Sequence, residues 1–285
     1  MIFTALFSFA QTKQVCFSFD DLPVVSYGAE DTCFQKELAE KLIASLKRNN
    51  IPAIGFVNER KLYNGKNINS FQAGLLKKWI DSGLEAGNHT FSHPDYNLIS
   101  LKDYSRDILK GEKITKELLK SRGLPVKYFR HPFLHTGSTK EKADSLSAFL
   151  HKQGYEAAPV TIDNEDYLFA HKYAQAKAKN DSGMMRQIGS DYVMYMEKKL
   201  KYFERQAEAL FGRDIPQILL VHASLLNADY ADSLAHLFIN NNYKFVSMDE
   251  ALRDSAYKTD ITVYGKWGIS WQVYLLFFVC LCRQV

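Results

Sequence analysis

The sequence lacks the clustered charge and the long apolar run that nucleic-acid-binding and membrane-spanning proteins need. Its 36 Lys and Arg residues nearly balance its 32 Asp and Glu residues, which leaves a formal net charge of +4, and the basic residues are scattered. Nucleic-acid binding is therefore not supported, because it usually requires a concentrated basic surface. The apolar run at residues 273–281 is about half as long as a membrane span. We expect a buried or irregular tail there, no stable membrane span and no nucleic-acid partner.

Cysteine is scarce, and its spacing matches no common cysteine-based site. The four cysteines are Cys16, Cys33, Cys280 and Cys282. These positions form neither a zinc ribbon nor a redox CxxC pair. We therefore expect unpaired thiols, and the cysteine count does not indicate the redox compartment.

A complete export signal is also missing at the N-terminus. Residues 1–10 are apolar, and Ser8-Phe9-Ala10 before Gln11 is typical of the end of a signal peptide. No basic residue precedes this short run, so we interpret residues 1–13 as a possible truncated leader, with a first β-strand as the alternative. A leader would place the protein in the periplasm, in the cell envelope or outside the cell.

What the sequence does contain is a regular alternation of short β-rich runs and amphipathic helical patterns, without repeats or low-complexity linkers. Strands are predicted at residues 15–19, 54–57, 128–129, 218–221 and 245–246, and the main helices at 38–49, 71–82, 102–121, 191–211 and 231–240. This alternation is typical of parallel strands joined by crossover helices. Periodicity alone leaves both a barrel and an open sheet possible. A length of 285 residues suits one large α/β domain or two small ones.

Polar residues follow the predicted strands at several separate places in the chain. These clusters are Asp20-Asp21, His89, Arg130, residues 163–166 and His222. In parallel α/β architectures the carboxyl ends of the strands meet at one mouth, where active sites are built. We therefore expect the clusters to converge on one site.

Two histidines and an aspartate form a candidate metal site. His89 and His93 are four residues apart, which would place both imidazoles on one face of a helical turn. Asp21 could complete the set, and two histidines with one carboxylate are a recurrent hydrolytic zinc arrangement. The same ligands also occur at non-haem iron sites. The sequence predicts Zn²⁺ or another divalent transition metal such as Co²⁺, Ni²⁺ or Fe²⁺.

The paired aspartates suggest a division of roles. Two adjacent carboxylates are costly to bury unless each has a cationic partner. We expect Asp21 to bind metal, Asp20 to accept a proton from water, and Arg130 to be the cationic partner of Asp20. A helix cap and a turn residue are the simpler alternative for the two aspartates.

The remaining clusters supply candidates for a catalytic acid and an oxyanion donor. His222 ends an apolar strand, and Asp166 could hold it as a general acid, although a core histidine and a solvated acidic loop are the alternatives. Pro132 restricts the loop after Arg130, so that a backbone N–H beyond it could face a developing oxyanion.

Taken together, the motifs resemble those of the polysaccharide deacetylase family, the NodB-like carbohydrate N-deacetylases, in the family's order over roughly residues 14–253. The motifs are Ser18-Phe19-Asp20-Asp21, His89-Thr90-Phe91-Ser92-His93, Arg130-His131-Pro132-Phe133, residues 163–167 and Leu220-Val221-His222. The resemblance implies an α/β fold, a distorted (β/α) barrel with fewer than eight strands. It also implies metal-dependent hydrolysis of N-acetyl groups from an acetylated glycan, with release of acetate.

The resemblance also implies a role for each site residue. These roles are general base for Asp20, metal ligands for Asp21, His89 and His93, general acid for His222, orienting partners for Arg130 and Asp166, oxyanion donor through the Phe133 backbone N–H, and an aromatic wall for Tyr167. The sequence departs from the family pattern at Leu22, where glycine is common, at Phe133, where tyrosine is usual, and at Tyr167, where tryptophan is usual. The last change could alter the shape of the acetyl pocket.

The resemblance implies a catalytic domain over residues 14–255, followed by an aromatic and hydrophobic tail over 256–285. Residues 168–213 exceed the compact family core, so we interpret them as a helical insertion beside the mouth. Tyr96 and His135 are candidate sugar contacts. A hydrolase of a non-carbohydrate N-acyl compound or cyclic amide, and a non-catalytic glycan-binding protein, remain alternatives on the same fold.

Overall fold

The computed structural model describes residues 12–29 and 31–275. Residues 1–11 of the expected leader, together with Cys280 and Cys282, lie outside the described residues. Cys16 is buried and Cys33 is exposed, and neither forms a disulfide within the described part. No helix of the described chain is both long and apolar enough to cross a bilayer.

Strands and helices alternate along the described chain. The strands are β1 (Lys13–Val25), β2 (Ile54–Val57), β3 (Tyr63–Asn64), β4 (Asn67–Ile68), β5 (Glu85–Asn88), β6 (Tyr128–Phe129), β7 (Glu156–Ala157), β8 (Gln217–Ser224) and β9 (Tyr243–Phe245). The helices are α1 (Thr32–Arg48), α2 (Ser70–Asp81), α3 (Leu101–Lys110), α4 (Lys113–Lys120), α5 (Lys140–Lys152), α6 (Asp166–Ala178), α7 (Ser182–Phe211), α8 (Leu225–Asn240) and α9 (Met248–Leu252).

Seven of these strands form one parallel sheet in the order β7-β6-β5-β2-β1-β8, and β9 pairs with the start of β1. The sheet curls, because Ile162, just beyond β7 at one edge, forms a parallel bridge with Leu219 of β8 at the other. The described residues therefore form a curled parallel barrel with fewer than eight strands, as the resemblance implied. The curl also shows that the sheet is a barrel and not an open sheet, a choice that the periodicity of the sequence left open.

Strand β1 shows how side-chain alternation positions the site. Successive side chains of a strand point to opposite faces. Val15 and Phe17 pack into the large core shared with the helices, while Cys16 joins the smaller cluster with residues of β2, β6 and β8. Ser18 and Asp20 continue the row begun by Cys16 and are also buried. This inner row therefore becomes polar toward the carboxyl end of β1, where the site lies.

The prediction of one helix over residues 102–121 was wrong, because α3 ends at Lys110 and α4 begins at Lys113. A Cβ atom on Gly111 would lie 2.3 Å from the backbone carbon of Thr90. The start of α4 is capped by the buried carboxylate of Glu59, which accepts the Ile114 N–H at 2.7 Å. Contacts from distant parts of the chain therefore break the helix at this point.

We expect Gly111→Ala to destabilise the protein by about 1–3 kcal/mol, since the added methyl group meets fixed backbone. Urea unfolding measures this change. Gly74→Ala is the matched control, because a Cβ there has open space and alanine favours the helix by up to ~1 kcal/mol. Equal stability of the two variants would contradict the tight contact at Gly111.

The expected helical insertion consists of α6 and α7. The sequence predicted one helix in this region, starting at residue 191, whereas α7 begins at Ser182 and α6 was not predicted. Tyr192 of α7 donates to Asn227 of α8 at 2.6 Å, and Tyr195 accepts the Glu165 N–H at 2.9 Å. The helix pair is therefore packed both on α8 and on the acidic loop that precedes α6.

Candidate metal and acid–base site

The polar clusters named above meet at the carboxyl end of β1. Asp20 is paired in register with His222 of β8. In a regular strand Asp20 and Asp21 would point to opposite faces. The pairing of β1 with β2 is irregular between Phe19 and Leu22, and Asp21 has a left-handed φ of 64°. This irregularity allows both carboxylates to reach the same mouth.

The structure brings Asp21, His89 and His93 together, with one potential ligand atom from each lying within 4.8 Å of the others. The distance from Asp21 Oδ1 to His93 Nε2 is 3.9 Å. The predicted helical turn around the histidines was wrong. The segment is a loop after β5 in which Thr90 and His93 have φ values of 66° and 57°. These left-handed residues, not helical periodicity, turn the two rings toward each other.

The three side chains suit a divalent metal. The buried Asp21 Oδ1 atom has no hydrogen-bond partner among the described residues, which is costly for a carboxylate. His89 donates from Nδ1 to the Arg130 carbonyl at 2.8 Å, and a carbonyl oxygen only accepts, so the Nε2 lone pair remains available. Burial lowers the pKa of His93 to about 4, and the neighbouring His89 adds to the shift. The His93 ring is therefore neutral near pH 7, as a metal ligand must be.

Lys61 is a charged neighbour that the sequence analysis missed. Its Nζ donates to the Asp21 carbonyl oxygen at 2.6 Å and to the Val24 carbonyl oxygen at 3.2 Å. Burial raises the pKa of Asp21, but Lys61 and the nearby histidines lower it by more, so this pKa lies below its usual range. The Asp21 carboxylate therefore stays ionised. Lys61 lies in a short 3₁₀ helix (Glu59–Leu62), and a single lysine there carries no sequence signal for this role.

Asp20 and Arg130 form a buried ion pair. The Arg130 Nη1 to Asp20 Oδ1 distance is 3.4 Å, and the two side chains are 0% and 4% exposed. Arg130 also donates from Nη2 to Ser18 Oγ at 3.0 Å and from Nε to the Ala158 carbonyl at 3.0 Å. The guanidinium is thus held on several sides. Asp20 Oδ2 lies 3.8 Å from His89 Nε2, which places the second carboxylate next to the candidate ligands.

His222 and Asp166 form the second charged pair of the mouth. His222 Nδ1 lies 2.8 Å from Asp166 Oδ1, and the His222 backbone N–H donates to Oδ2 at 2.8 Å. Asn227, another residue missed from the sequence, donates to the same Oδ2 at 2.7 Å. Burial lowers the pKa of His222, but the Asp166 carboxylate raises it by more, to about 9. His222 is therefore protonated at neutral pH.

Two exposed aromatic residues flank the mouth. The Phe133 side chain is 53% exposed, and its ring centroid lies 4.6 Å from that of His93. Tyr167 is 48% exposed, with its ring centroid 6.5 Å from that of His222. The backbone of Phe133 adopts a left-handed φ of 57° directly after Pro132. Phe133 thus stands beside the candidate ligands and Tyr167 beside the candidate acid.

The predicted sugar contact by Tyr96 was wrong. Tyr96 is fully buried, and its hydroxyl donates to the Lys142 carbonyl at 2.8 Å. Its ring packs against Tyr104, so the residue belongs to the core. His135 is partly exposed and its Nδ1 lies 2.7 Å from Asp95 Oδ1.

Two known proteins with related sequences are both named as deacetylases. A peptidoglycan-N-acetylglucosamine deacetylase from Bacillus cereus is 28% identical over 120 residues, covering 42% of this chain and 36% of that protein. A chitin deacetylase from Colletotrichum lindemuthianum is 28% identical over 131 residues, covering 45% of this chain and 47% of that protein. The chain therefore spans less than half the length of either relative.

Solved structures share the fold at low sequence identity. A peptidoglycan deacetylase from Bacillus subtilis superposes with a TM-score of 0.55 at 18% identity, covering 87% of this chain and 95% of that one. A family 4 carbohydrate esterase from Streptomyces lividans gives a TM-score of 0.51 at 17% identity, covering 84% of this chain and 95% of that one. The model of the family described as polysaccharide deacetylase matches residues 10–156, just over half of the chain. The chain therefore belongs to the polysaccharide deacetylase family.

Proposed function

We propose that the protein is a metal-dependent hydrolase that removes N-acetyl groups from a carbohydrate containing N-acetylglucosamine and releases acetate. The observation that carries this proposal is the meeting, in one mouth, of three potential ligand atoms with an Arg-paired carboxylate and an Asp-paired histidine. The names of the two relatives support the substrate class, since they specify peptidoglycan N-acetylglucosamine and chitin. His222 and Asp166 lie outside residues 10–156, so their roles rest on the geometry and on the resemblance of their motifs.

Asp21, His89 and His93 would hold the metal. Zn²⁺ suits two imidazole nitrogens and one carboxylate oxygen, and Co²⁺, Ni²⁺ and Fe²⁺ are the alternatives. Such an ion supplies Lewis acidity, which polarises the acetyl carbonyl and makes water more acidic.

The chain's own residues would then move the protons. Asp20, held by Arg130, accepts a proton from the water that attacks the acetyl carbon. The Phe133 N–H donates a hydrogen bond to the carbonyl oxygen as it becomes negative. The C–N bond breaks when the amide nitrogen takes a proton from His222, which Asp166 keeps charged. Acetate leaves and the sugar retains a free amine.

The exposed aromatic side chains would shape the substrate site. Phe133 lies next to His93 and Tyr167 next to His222. Rings in such positions can flank the acetyl group or a sugar ring through apolar contact. We further propose that residues 14–255 form the catalytic domain and that the enzyme acts on a polymer of the cell envelope or outside the cell.

The proposal is tested by measuring acetate release from chitin oligomers, peptidoglycan and an N-acetylated exopolysaccharide, with and without a chelator. We expect release from at least one glycan, its loss after chelation, and its return with Zn²⁺ or another divalent metal. N-acyl amino compounds and cyclic amides in the same panel examine the alternative substrates. Glycan binding by calorimetry without acetate release from any substrate would instead favour a non-catalytic binding protein, and chelator-resistant release by metal-free protein would contradict the metal site.

A further inference from the structure

A C-terminal segment, residues 266–275, runs across the loops that border the mouth, and we call it the strap. Asn97 donates to the Lys266 carbonyl at 3.3 Å at one end of the strap. Toward the other end, the Trp271 N–H donates to the Val160 carbonyl at 2.8 Å, and Ser270 Oγ donates to the Thr161 carbonyl at 2.7 Å. The strap is therefore fastened on both sides of Gly268.

Gly268 lies directly against the backbone of Phe133. A Cβ atom built on Gly268 would lie 1.6 Å from the Phe133 carbonyl oxygen and 2.9 Å from its carbonyl carbon. It would also lie 3.0 Å from Cδ2 of His135. No side chain fits between the strap and the Phe133 loop, so glycine is required here by close approach and not by its φ angle.

The Phe133 loop needs such support because its backbone is unusual. Phe133 and Leu134 have φ values of 57° and 55°, in a region that residues with side chains rarely adopt. Backbone in such a conformation persists when the surrounding structure holds it there. The strap supplies one of these contacts from the far end of the chain.

The backbone hydrogen bonds within the loop do not involve the Phe133 N–H. The Leu134 N–H donates to the His131 carbonyl at 3.0 Å, and the His135 N–H donates to the Pro132 carbonyl at 3.1 Å. Neither bond uses the Phe133 N–H. Seating of the strap against the Phe133 carbonyl limits rotation of this residue's backbone, and with it the direction of its N–H.

We propose that Gly268 is a positioning residue: the strap seats against the Phe133 carbonyl and thereby aims the Phe133 N–H at the substrate's acetyl oxygen. This inference rests on the proposed deacetylase function. It extends the active site to a segment that lies more than a hundred residues beyond Phe133 in the sequence.

The test is Gly268→Ala in the full chain, with Gly74→Ala as the matched glycine control, since a Cβ at Gly74 meets nothing within 4 Å. A misdirected oxyanion donor weakens the transition state more than the bound ground state, so we expect kcat to fall by ~10–10²-fold with KM little changed. The dissociation constant for Zn²⁺, measured by calorimetry, should stay at the wild-type value. A folded Gly268→Ala protein with wild-type kcat, or one that loses Zn²⁺ affinity in parallel with kcat, would overturn the proposal.

A second readout does not depend on activity. In protein labelled with ¹⁵N at phenylalanine, the Phe133 amide resonance, identified by its absence in Phe133→Tyr, should move in Gly268→Ala and stay in place in Gly74→Ala. An unmoved resonance rejects the positioning role even if the wild type deacetylates nothing, whereas a moved resonance without acetate release rejects only the proposed function. If Gly268→Ala fails to fold, Ser270→Ala, which removes an anchor of the strap, should produce a smaller shift and a smaller fall in kcat, and wild-type values for both would reject the proposal.

Discussion

Asp20→Asn is expected to reduce kcat by at least ~10²-fold while Zn²⁺ affinity is retained, because asparagine keeps the shape of the side chain but cannot accept a proton near pH 7. Asp20 and Arg130 are both buried, so the substitution also leaves a buried guanidinium without its charged partner. Some loss of stability is therefore expected. The asparagine oxygen can still accept from Arg130, and the variant should remain folded at room temperature.

The measurements are kcat on the best glycan of the panel, Zn²⁺ affinity by calorimetry and the melting temperature. Asp144→Asn is the control, because Asp144 is an exposed acid of α5 outside the site. Its neutral analogue should leave kcat close to wild type. Near-wild-type turnover by Asp20→Asn would contradict the assignment of Asp20 as the base. A fall in turnover that weaker Zn²⁺ binding fully explains would contradict it as well.

His222→Ala should likewise lower kcat by at least ~10²-fold, because the amide nitrogen then leaves without a proton donor. Zn²⁺ affinity should change little, since the ligand set does not include His222. His151→Ala, which alters an exposed histidine of α5, is the control and should behave as wild type. Full activity of the His222→Ala protein would remove the general acid from the mechanism.

The pH profile gives an independent test of the same residue. Asp166 raises the pKa of His222 to about 9, so the acid form should persist until the pH approaches that value, and kcat/KM should decline above it. Asp166→Asn removes the largest interaction that raises the pKa of His222, so this pKa falls and the alkaline limb moves to lower pH. An unchanged limb in the variant would mean that another group sets it.

The same pair links protonation to stability. The pKa of His222 in the folded protein, about 9, is higher than its ordinary value of 6.5, so the bound proton stabilises the fold fully below 6.5 and less as pH rises through 9. Urea unfolding should therefore show a larger difference between wild type and Asp166→Asn at pH 6 than at pH 10.

The sequence by itself determined five of the nine described strands and the residue types of the site, whereas β3, β4, β5 and β7 were missed. Strand β2 has the predicted bounds of 54–57, because a short β-rich run needs only its own residues to be recognised. Asp20, Asp21 and His89 could be named because carboxylate and imidazole side chains bind metals and transfer protons. Their position after predicted parallel strands indicated that they would meet, and the structure places them together.

Only the tertiary structure determined the backbone conformation and the long-range contacts around these groups. The break at Gly111 depends on Thr90, the charge near Asp21 depends on Lys61, and the loop of Phe133 depends on Gly268. Each of these partners is separated from its residue by about twenty residues or more of sequence. Local periodicity and propensity describe only neighbouring residues, so they contain no information on contacts that form when distant segments pack together.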